Sequence, residues 1–256
     1  MDGGRNMFAQ KTEQADIRIP TGIQGLDALI QGGLPEKSIT LVSGPPGAGK
    51  SIFCFQFLNA SVQRGEKVLY LTLDKKEDGV LYQTKKIGFD FQESIENGQA
   101  KFRYLNINQK LVYETMSNEI LSGEYDRIVL DSITPLSEMP MYLQSTETKN
   151  NTDYSFINSD EYHNTQTGPV RRRHLRYIIN ALETSEATSI ITSELPMGST
   201  NLSRDGISEF LADGVIVLNL DPTMDRRKLS IMKMRNTKHT LKPQNIQIEQ
   251  GGITFL

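Results

Sequence analysis

The sequence has only one cysteine and no long apolar run, and each of these two features excludes a class of protein. A single cysteine, Cys54, excludes a disulfide within the chain, and its apolar neighbours predict that it is buried and inert. No apolar run approaches the roughly 18 residues needed to span a bilayer, and residues 1–16 lack the apolar core of a signal peptide. The net charge of −3 predicts no overall attraction to nucleic acid. We therefore expect a cytoplasmic protein without membrane insertion.

Strands and helices are expected to alternate along the 256 residues, as in one large α/β domain. Apolar runs predict buried strands at 38–43, 67–73, 102–105, 127–131, 188–192 and 214–218. Helical patterns cover 52–58, 79–87, 110–121 and 171–184. Polar and apolar residues alternate at 228–234 and 245–249, which is typical of antiparallel edge strands. We predict a mostly parallel twisted sheet with helices on both faces and an antiparallel C-terminal edge.

Composition suggests where the domain begins and where it is interrupted. Residues 1–16 are predicted to be a polar tail and residues 17–256 a single domain. At about 138–168 the periodicity is lost, which predicts a polar insertion. A disordered surface insertion and a lid or partner-binding loop both fit this segment. The second interpretation would use four aromatic anchors, namely Tyr142, Tyr154, Phe156 and Tyr162.

Residues 44–51 read GPPGAGKS and fit the phosphate-binding pattern G-x-x-x-x-G-K-[ST], between a predicted strand and a predicted helix. Gly47 and Gly49 allow the tight turn that points successive backbone N–H groups at a polyphosphate. Lys50 would reach the β and γ phosphates of ATP, and the Ser51 hydroxyl would bind Mg²⁺. The residues of this segment expected to contact the nucleotide are Pro46, Gly47, Ala48, Gly49, Lys50, Ser51 and Ile52.

An acidic residue, Asp131, closes the predicted strand at 127–131. Ligands of open α/β sheets bind at the carboxyl ends of the strands. This carboxylate is therefore expected to hold Mg²⁺ beside Ser51. An aspartate that only caps the following turn is the alternative.

Four ordered motifs resemble those of KaiC-type domains in the RecA superfamily. Residues 19–35 read IPTGIQGLDALIQGGLP, and the phosphate-binding pattern follows them. Residues 170–175 are similar to the family's V-R-R-x-L helix, 206–215 to its G-x-x-E-F-x-[AS]-D segment, and 233–239 to its K-x-R-G-T-x-H. One such domain is present, so the chain resembles single-domain, archaeal-type KaiC-like proteins. The resemblance implies a RecA-like P-loop NTPase core.

The resemblance also implies an ATPase assembled as a ring, typically a hexamer, with ATP between subunits. In the family, the residues matching Lys233 and Arg235 reach the γ-phosphate of the neighbour's ATP. The residues matching Thr237 and His239 lie near the nucleotide. Solvated charges at Lys233 and Arg235, and a structural His239, are the alternatives. Asn236 replaces the family's glycine, which predicts a positive φ that asparagine tolerates.

One departure from the family concerns hydrolysis. The family has a Glu-Glu pair after the second strand, where a carboxylate activates water, and this chain has Asp74 and Lys75. Asp74 is one methylene shorter and is the expected base, acting through an extra water. Glu77 would substitute for it if the next turn folded back. Glu194 matches a family position that senses the γ-phosphate, with a capping role as the alternative.

The residues together predict a slow Mg²⁺-dependent ATPase that acts as a ring-forming switch or motor. Its catalytic residues would be Lys50, Asp74, Lys233 and Arg235, and its cofactors ATP and Mg²⁺. A nucleotide-dependent assembly scaffold with little hydrolysis is one alternative. A DNA-associated ATPase similar to recombinase paralogs is another, suggested by the basic cluster at 171–176, although such clusters are usually solvated helix faces. The sequence does not name a further protein partner.

Overall fold

The computed structural model describes residues 17–109, 111–138 and 168–256. Its strands in chain order are β1 (Arg18–Ile19), β2 (Leu34–Pro35), β3 (Ile39–Gly44), β4 (Val68–Thr72), β5 (Ala100–Tyr104), β6 (Arg127–Asp131), β7 (Thr188–Glu194), β8 (Gly214–Asp221), β9 (Arg226–Met234), β10 (Gln244–Glu249) and β11 (Gly252–Phe255). Strands β1 and β2 form a small antiparallel pair. The other strands form one sheet in the order β11-β10-β9-β8-β3-β7-β6-β4-β5.

The middle of the sheet is parallel and almost wholly buried. Strand β3 pairs in parallel with β7 and β8, and β6 pairs in parallel with β4 and β7. Their residues are buried on both faces, as expected for a parallel sheet that is covered by helices. All carboxyl ends of these strands therefore meet at one edge of the sheet, where ligands of α/β folds bind.

Helices cover both faces of the sheet and create two apolar cores. The helices are α1 (Gln24–Leu29), α2 (Lys50–Val62), α3 (Glu77–Ile87), α4 (Gln92–Glu96), α5 (Val112–Ser122), α6 (Gly168–Ser185) and α7 (Ser208–Leu211), with a 3-10 turn at Thr134–Ser137. One core contains the apolar side of α2, and the other contains α5 and α6. Neighbouring residues of β3 and β4 alternate between the two cores, because side chains of a strand point to opposite faces.

The C-terminal strands extend the sheet in antiparallel fashion and pack beneath α2. Gln56, buried in α2, donates from Nε2 to the Gly22 carbonyl at 2.9 Å. Its Oε1 accepts from the Ile253 backbone N–H at 2.7 Å. One amide side chain thus ties the loop helix to both the first and the last segments of the fold.

The predicted fold class is confirmed, including the antiparallel C-terminal edge. Some bounds differ from the prediction. Helix α3 begins at Glu77 rather than at 79, because two acidic residues in its first turn favour the positive end of the helix. Strand β7 extends to Glu194, because the backbone there still pairs with Gly44 of β3.

Parts of the predicted organisation lie outside the described residues. These parts are the polar tail at 1–16 and almost all of the insertion at about 138–168, with its four aromatic residues. Within 17–109, 111–138 and 168–256, no helix has the length and apolar character needed to cross a membrane.

Candidate functional site

The phosphate-binding loop lies between β3 and α2, at the carboxyl edge of the parallel strands. Gly47 and Gly49 have φ values of 80° and 109°, so the predicted tight turn uses the left-handed conformations that glycine allows. Gly44 lies so close to β8 that an added Cβ would approach the Leu218 carbonyl oxygen to 2.3 Å. Any side chain at position 44 would therefore push the loop away from the sheet.

The Lys50 ammonium lies inside the curve of its own loop. Its Nζ donates to the carbonyls of Gly44 at 2.8 Å and Pro45 at 3.2 Å. Burial lowers the pKa of Lys50, and the carboxylates of Glu194 and Asp131 partly counter that effect. The Lys50 ammonium therefore lies in the same turn as the backbone N–H groups of the loop. Such a combination of positive charge and N–H donors suits a polyphosphate.

Asp131 lies next to Ser51, as the sequence predicts for a shared metal site. The Ser51 hydroxyl donates to Asp131 Oδ2 at 2.6 Å. The same oxygen accepts from the Tyr70 hydroxyl at 2.6 Å, and Thr192 Oγ1 donates to Oδ1 at 2.5 Å. The peptide bond between Asp131 and Ser132 is cis. A hydroxyl and a carboxylate in contact are the oxygen donors that Mg²⁺ prefers, so these two residues fit the metal.

The acidic residues near the loop are Asp74 and Glu194, which lie on either side of β6. Asp74 follows β4, and Glu194 is paired with Gly44 in the register of β7 and β3. Loss of solvent around Asp74, together with the charges of Glu194 and Asp131, raises the pKa of Asp74. The charges of Asp74 and Lys50 also interact, although the Asp74 side chain is exposed.

Glu77 and Lys75 are directed away from the loop. Glu77 Oε1 accepts from the backbone N–H of Tyr104 at 3.1 Å, on the edge strand β5. Strand β5 is separated from β3 by three other strands, so Glu77 does not substitute for Asp74. Lys75 Nζ donates to Gln83 Oε1 on α3 at 3.2 Å, and its charge still acts to lower the pKa of Asp74.

Lys233 and Arg235 contact the same short segment of the chain. Lys233 Nζ donates to the backbone carbonyls of Glu209 at 3.0 Å and Ala212 at 2.5 Å. Arg235 Nη1 donates to Asp213 Oδ1 at 2.8 Å. Burial and the charge of Arg235 lower the pKa of Lys233. The two cations project from one side of the end of β9, as the K-x-R spacing predicts.

These two cations lie at the opposite edge of the sheet from the loop of their own chain. The Arg235 backbone N–H donates to the Asp213 carbonyl, and the Asp213 N–H donates to the Ile39 carbonyl. Arg235 is therefore level with the first residue of β3, while the loop follows Gly44 at its last residue. Five residues of strand separate the two levels by about 17 Å. The sequence did not predict this separation.

The segment after β9 is held by the N-terminal strand. Arg18 Nη1 donates to Thr237 Oγ1 at 2.6 Å, and Arg18 Nη2 donates to the Asn236 carbonyl at 2.8 Å. Asn236 has a φ of 53°, which confirms the predicted positive φ. His239 Nδ1 is buried and has no hydrogen-bond partner within the described part of the chain.

Three residues near the loop were missed by the sequence analysis. Tyr70 and Thr192 bond to Asp131 from the neighbouring strands, and Arg227 Nε approaches the Gly47 carbonyl at 3.4 Å. Tyr70 and Arg227 belong to no local motif, and Thr192 begins the T-x-E segment that ends at Glu194 but had no predicted role. Their contacts arise from the order of the strands, which a single sequence does not reveal.

Two further sequence features lie away from the phosphates. Cys54 is buried in α2, which confirms the prediction, and burial raises the pKa of its thiol well above the ordinary range. The basic cluster at 171–176 lies on α6, on the face of the sheet opposite α2. Its His174 and Leu175 are buried, so only part of the cluster faces solvent.

Comparison with known proteins gives consistent matches along nearly the whole chain. A family model described as "ATPase: KaiC" matches residues 19–256. A UPF0273 protein of Pyrococcus furiosus is 29% identical over 238 residues, which are 92% of each chain. The circadian clock protein KaiC2 of Synechocystis is 26% identical over 94% of this chain, which corresponds to 40% of that longer protein. The crystal structure of a KaiC-like protein from Pyrococcus horikoshii superposes with a TM-score of 0.74, at 28% identity, covering 94% and 99% of the two chains.

The raised pKa of Asp74 predicts a stability effect. Raising a carboxyl pKa on folding costs stability, and this cost appears as pH rises through the folded pKa. Asp74→Asn should therefore raise the Tm of the nucleotide-free protein at pH 8, by only about 1–2 °C because Asp74 keeps solvent contact. The gain should vanish towards pH 4. Thermal melts followed by circular dichroism at several pH values measure it.

Asp90 provides the control of opposite sign. The Gln92 backbone N–H and Lys85 lower the pKa of Asp90, so Asp90→Asn should reduce Tm at neutral pH, with a loss that shrinks on acidification. A Tm for Asp74→Asn at or below that of the wild type at pH 8 would contradict the electrostatic interpretation of Asp74.

Proposed function

The chain belongs to the KaiC family of ATPases, and we propose that it is a slow, Mg²⁺-dependent ATPase that works as one subunit of a ring. Family membership supports ATP binding. The proposed ring, a hexamer, holds ATP between neighbouring subunits and acts as a switch or motor. Residues 17–256 would form its single ATPase domain. Because the activity uses ATP, we expect the protein to work in the cytoplasm.

The observation that carries this proposal is the arrangement of Lys50, Ser51, Asp131 and Asp74 around one loop. A cation lies inside the turn, a hydroxyl and a carboxylate are in contact beside it, and a second carboxylate lies nearby. Phosphoryl transfer needs these groups for charge neutralisation, metal binding and positioning of water. Bound Mg²⁺ would neutralise charge on the phosphates, with Ser51 and Asp131 as its protein donors. Glu194, which pairs with Gly44 at the start of the loop, would be the polar group that senses the γ-phosphate.

The position of Lys233 and Arg235 supports a site shared between subunits. They lie about 17 Å along the strands from the loop of their own chain, farther than an arginine side chain reaches. The Asp213 carboxylate and the carbonyls near α7 hold them at the surface instead. In a head-to-tail ring the amino edge of one subunit faces a neighbour, so these cations would act on the neighbour's ATP. Thr237 and His239 would approach the same nucleotide.

Slow turnover follows from the residues after β4. Asp74 is the acidic residue there that lies close to the loop, since Glu77 bonds to the edge strand. Its shorter side chain leaves a longer path to the attacking water than the family's glutamate does. If hydrolysis is negligible, the same site would serve a nucleotide-dependent scaffold. Nothing in the described site favours DNA as the main partner, and the further protein partner stays unidentified.

Lys50→Ala should weaken ATP binding by at least about tenfold, because it removes the cation facing the β and γ phosphates. Calorimetry with a non-hydrolysable ATP analogue measures the effect. Lys37→Ala is a matched control, since Lys37 pairs with Glu186 at the other edge of the sheet. Wild-type affinity in Lys50→Ala would refute the proposed phosphate site.

Asp74→Asn should reduce the steady-state ATPase rate by about 10²-fold or more, the usual contribution of a general base. Glu77→Gln should leave the rate unchanged, because Glu77 contacts Tyr104 rather than the loop. Light scattering with and without Mg²⁺-ATP, on the same samples, reports assembly. Assembly without measurable hydrolysis in the wild type would support the scaffold and contradict the ATPase.

A mixing experiment tests whether Arg235 acts on a neighbour. Lys50→Ala subunits lack a working loop, and Arg235→Ala subunits lack the projecting cation, so each variant alone should be nearly inactive. In rings mixed at equal amounts, about a quarter of the interfaces pair an intact loop with an intact Arg235. Activity should recover to about that fraction of the wild type. Confirmed mixed rings without recovery at any ratio would rule out action in trans.

A further inference from the structure

The Asp131 carboxylate is held by hydroxyl groups from both strands that flank its own. Strand β6 lies between β4 and β7. Tyr70, on β4, donates to Oδ2 at 2.6 Å, and Thr192, on β7, donates to Oδ1 at 2.5 Å. Each carboxylate oxygen thus has its own donor from a rigid strand. Ser51, at the start of α2, is the third donor, also to Oδ2.

The Tyr70 side chain has little freedom to leave this position. Tyr70 is 2% exposed, and its ring packs between Phe55 of α2 and Phe102 of β5, with centroid separations of 5.4 and 5.3 Å. A buried phenol needs a hydrogen-bond partner, and this one meets a carboxylate at a short distance. Thr192 is completely buried, and its backbone lies within the parallel sheet.

The Ser51 contact differs from the other two. The Ser51 oxygen is itself an expected ligand of Mg²⁺, so its position would follow the metal, even though its hydroxyl proton remains free to donate to Asp131. The orientation of Asp131 then depends on the two donors that take no part in binding the metal. Partners of this type that hold a ligating side chain in place commonly affect metal affinity by about 10–100-fold.

We propose that Tyr70 and Thr192 are positioning residues of the metal site, which hold the Asp131 carboxylate in the orientation that Mg²⁺-ATP requires. The inference rests on the proposed function, because it assigns supporting residues to the same site. It goes beyond that function by assigning a role to two hydroxyls that lie outside the phosphate-binding loop. Their effect should appear in metal dependence and not in the binding of metal-free nucleotide.

The test is a Mg²⁺ titration of binding of a non-hydrolysable ATP analogue, with Mg²⁺ concentration at half-saturation as the readout. Tyr70→Phe removes only the hydroxyl and keeps the ring between its two aromatic neighbours. It should raise the half-saturating Mg²⁺ about tenfold, while the analogue's affinity in EDTA stays within about twofold of the wild type. Thr192→Val should act similarly, and Thr192→Ser, which keeps the hydroxyl, should restore wild-type behaviour.

The matched control is Tyr113→Phe. Tyr113 is also fully buried and donates its hydroxyl to a backbone carbonyl, that of Leu136, but on the α5 side of the sheet. This variant should leave the Mg²⁺ titration unchanged. Circular dichroism melts verify that every variant is folded. An effect of Tyr113→Phe equal to that of Tyr70→Phe would overturn the inference, because it would show a general effect of losing a buried hydroxyl.

Asp131→Asn separates failure of the inference from failure of the proposed function. If Asp131→Asn raises the Mg²⁺ requirement and folded Tyr70→Phe does not, the positioning role is wrong and the metal site stands. If Asp131→Asn has no effect, or the wild type does not bind the analogue, the proposed site fails and the inference fails with it. In the Asp131→Asn background, Tyr70→Phe should have little further effect, because the group it positions is already changed.

Discussion

The carboxylate of Asp131, at the carboxyl end of a buried parallel strand, is the group through which the candidate site is assembled. It joins the first residues of the loop helix to two strands of the sheet by way of Ser51, Tyr70 and Thr192. An anion can lie here because hydroxyl donors replace the water it loses. The loop is thereby fixed relative to the sheet before any nucleotide is bound, which reduces the reorganisation that binding requires.

The two halves of the proposed ATP site lie at opposite edges of one rigid sheet. The loop follows the last residue of β3, and Arg235 lies level with the first. The sheet thus separates them within a subunit and, in the proposed ring, would present each to a different neighbour. Within their own chain, Arg235 bonds to the Asp213 carboxylate and Lys233 bonds to backbone carbonyls. These contacts give both charges a partner at the surface. Binding of ATP by a neighbour would exchange one anionic partner for another.

Local patterns were sufficient to predict the loop, the buried strands, the antiparallel edge and the positive φ of Asn236, because each depends on residues close in sequence. The contacts of Tyr70, Thr192 and Arg227 depend instead on which strands are neighbours. Strand order also explains why Glu77 does not replace Asp74. The sequence allowed the turn after β4 to fold back towards the loop, but Glu77 instead accepts a hydrogen bond from the Tyr104 backbone N–H on the edge strand. Whether a polar side chain near a motif belongs to the site is therefore decided by strand order.

This chain has one carboxylate after β4, that of Asp74, where the family has two. The other acidic residues of the site explain why nucleotide binding need not depend on the second one. Asp74, Glu194 and Asp131 already surround Lys50, and their mutual repulsion contributes to the raised pKa of Asp74. A fourth carboxylate at position 75 would add to the repulsion of a polyphosphate. Lys75 removes that charge and adds a positive one, which acts to lower the pKa of Asp74. In the proposed function, the substitution would favour ATP binding on electrostatic grounds, whereas the shorter Asp74 would slow ATP hydrolysis. The proposed slow ATPase combines these two effects.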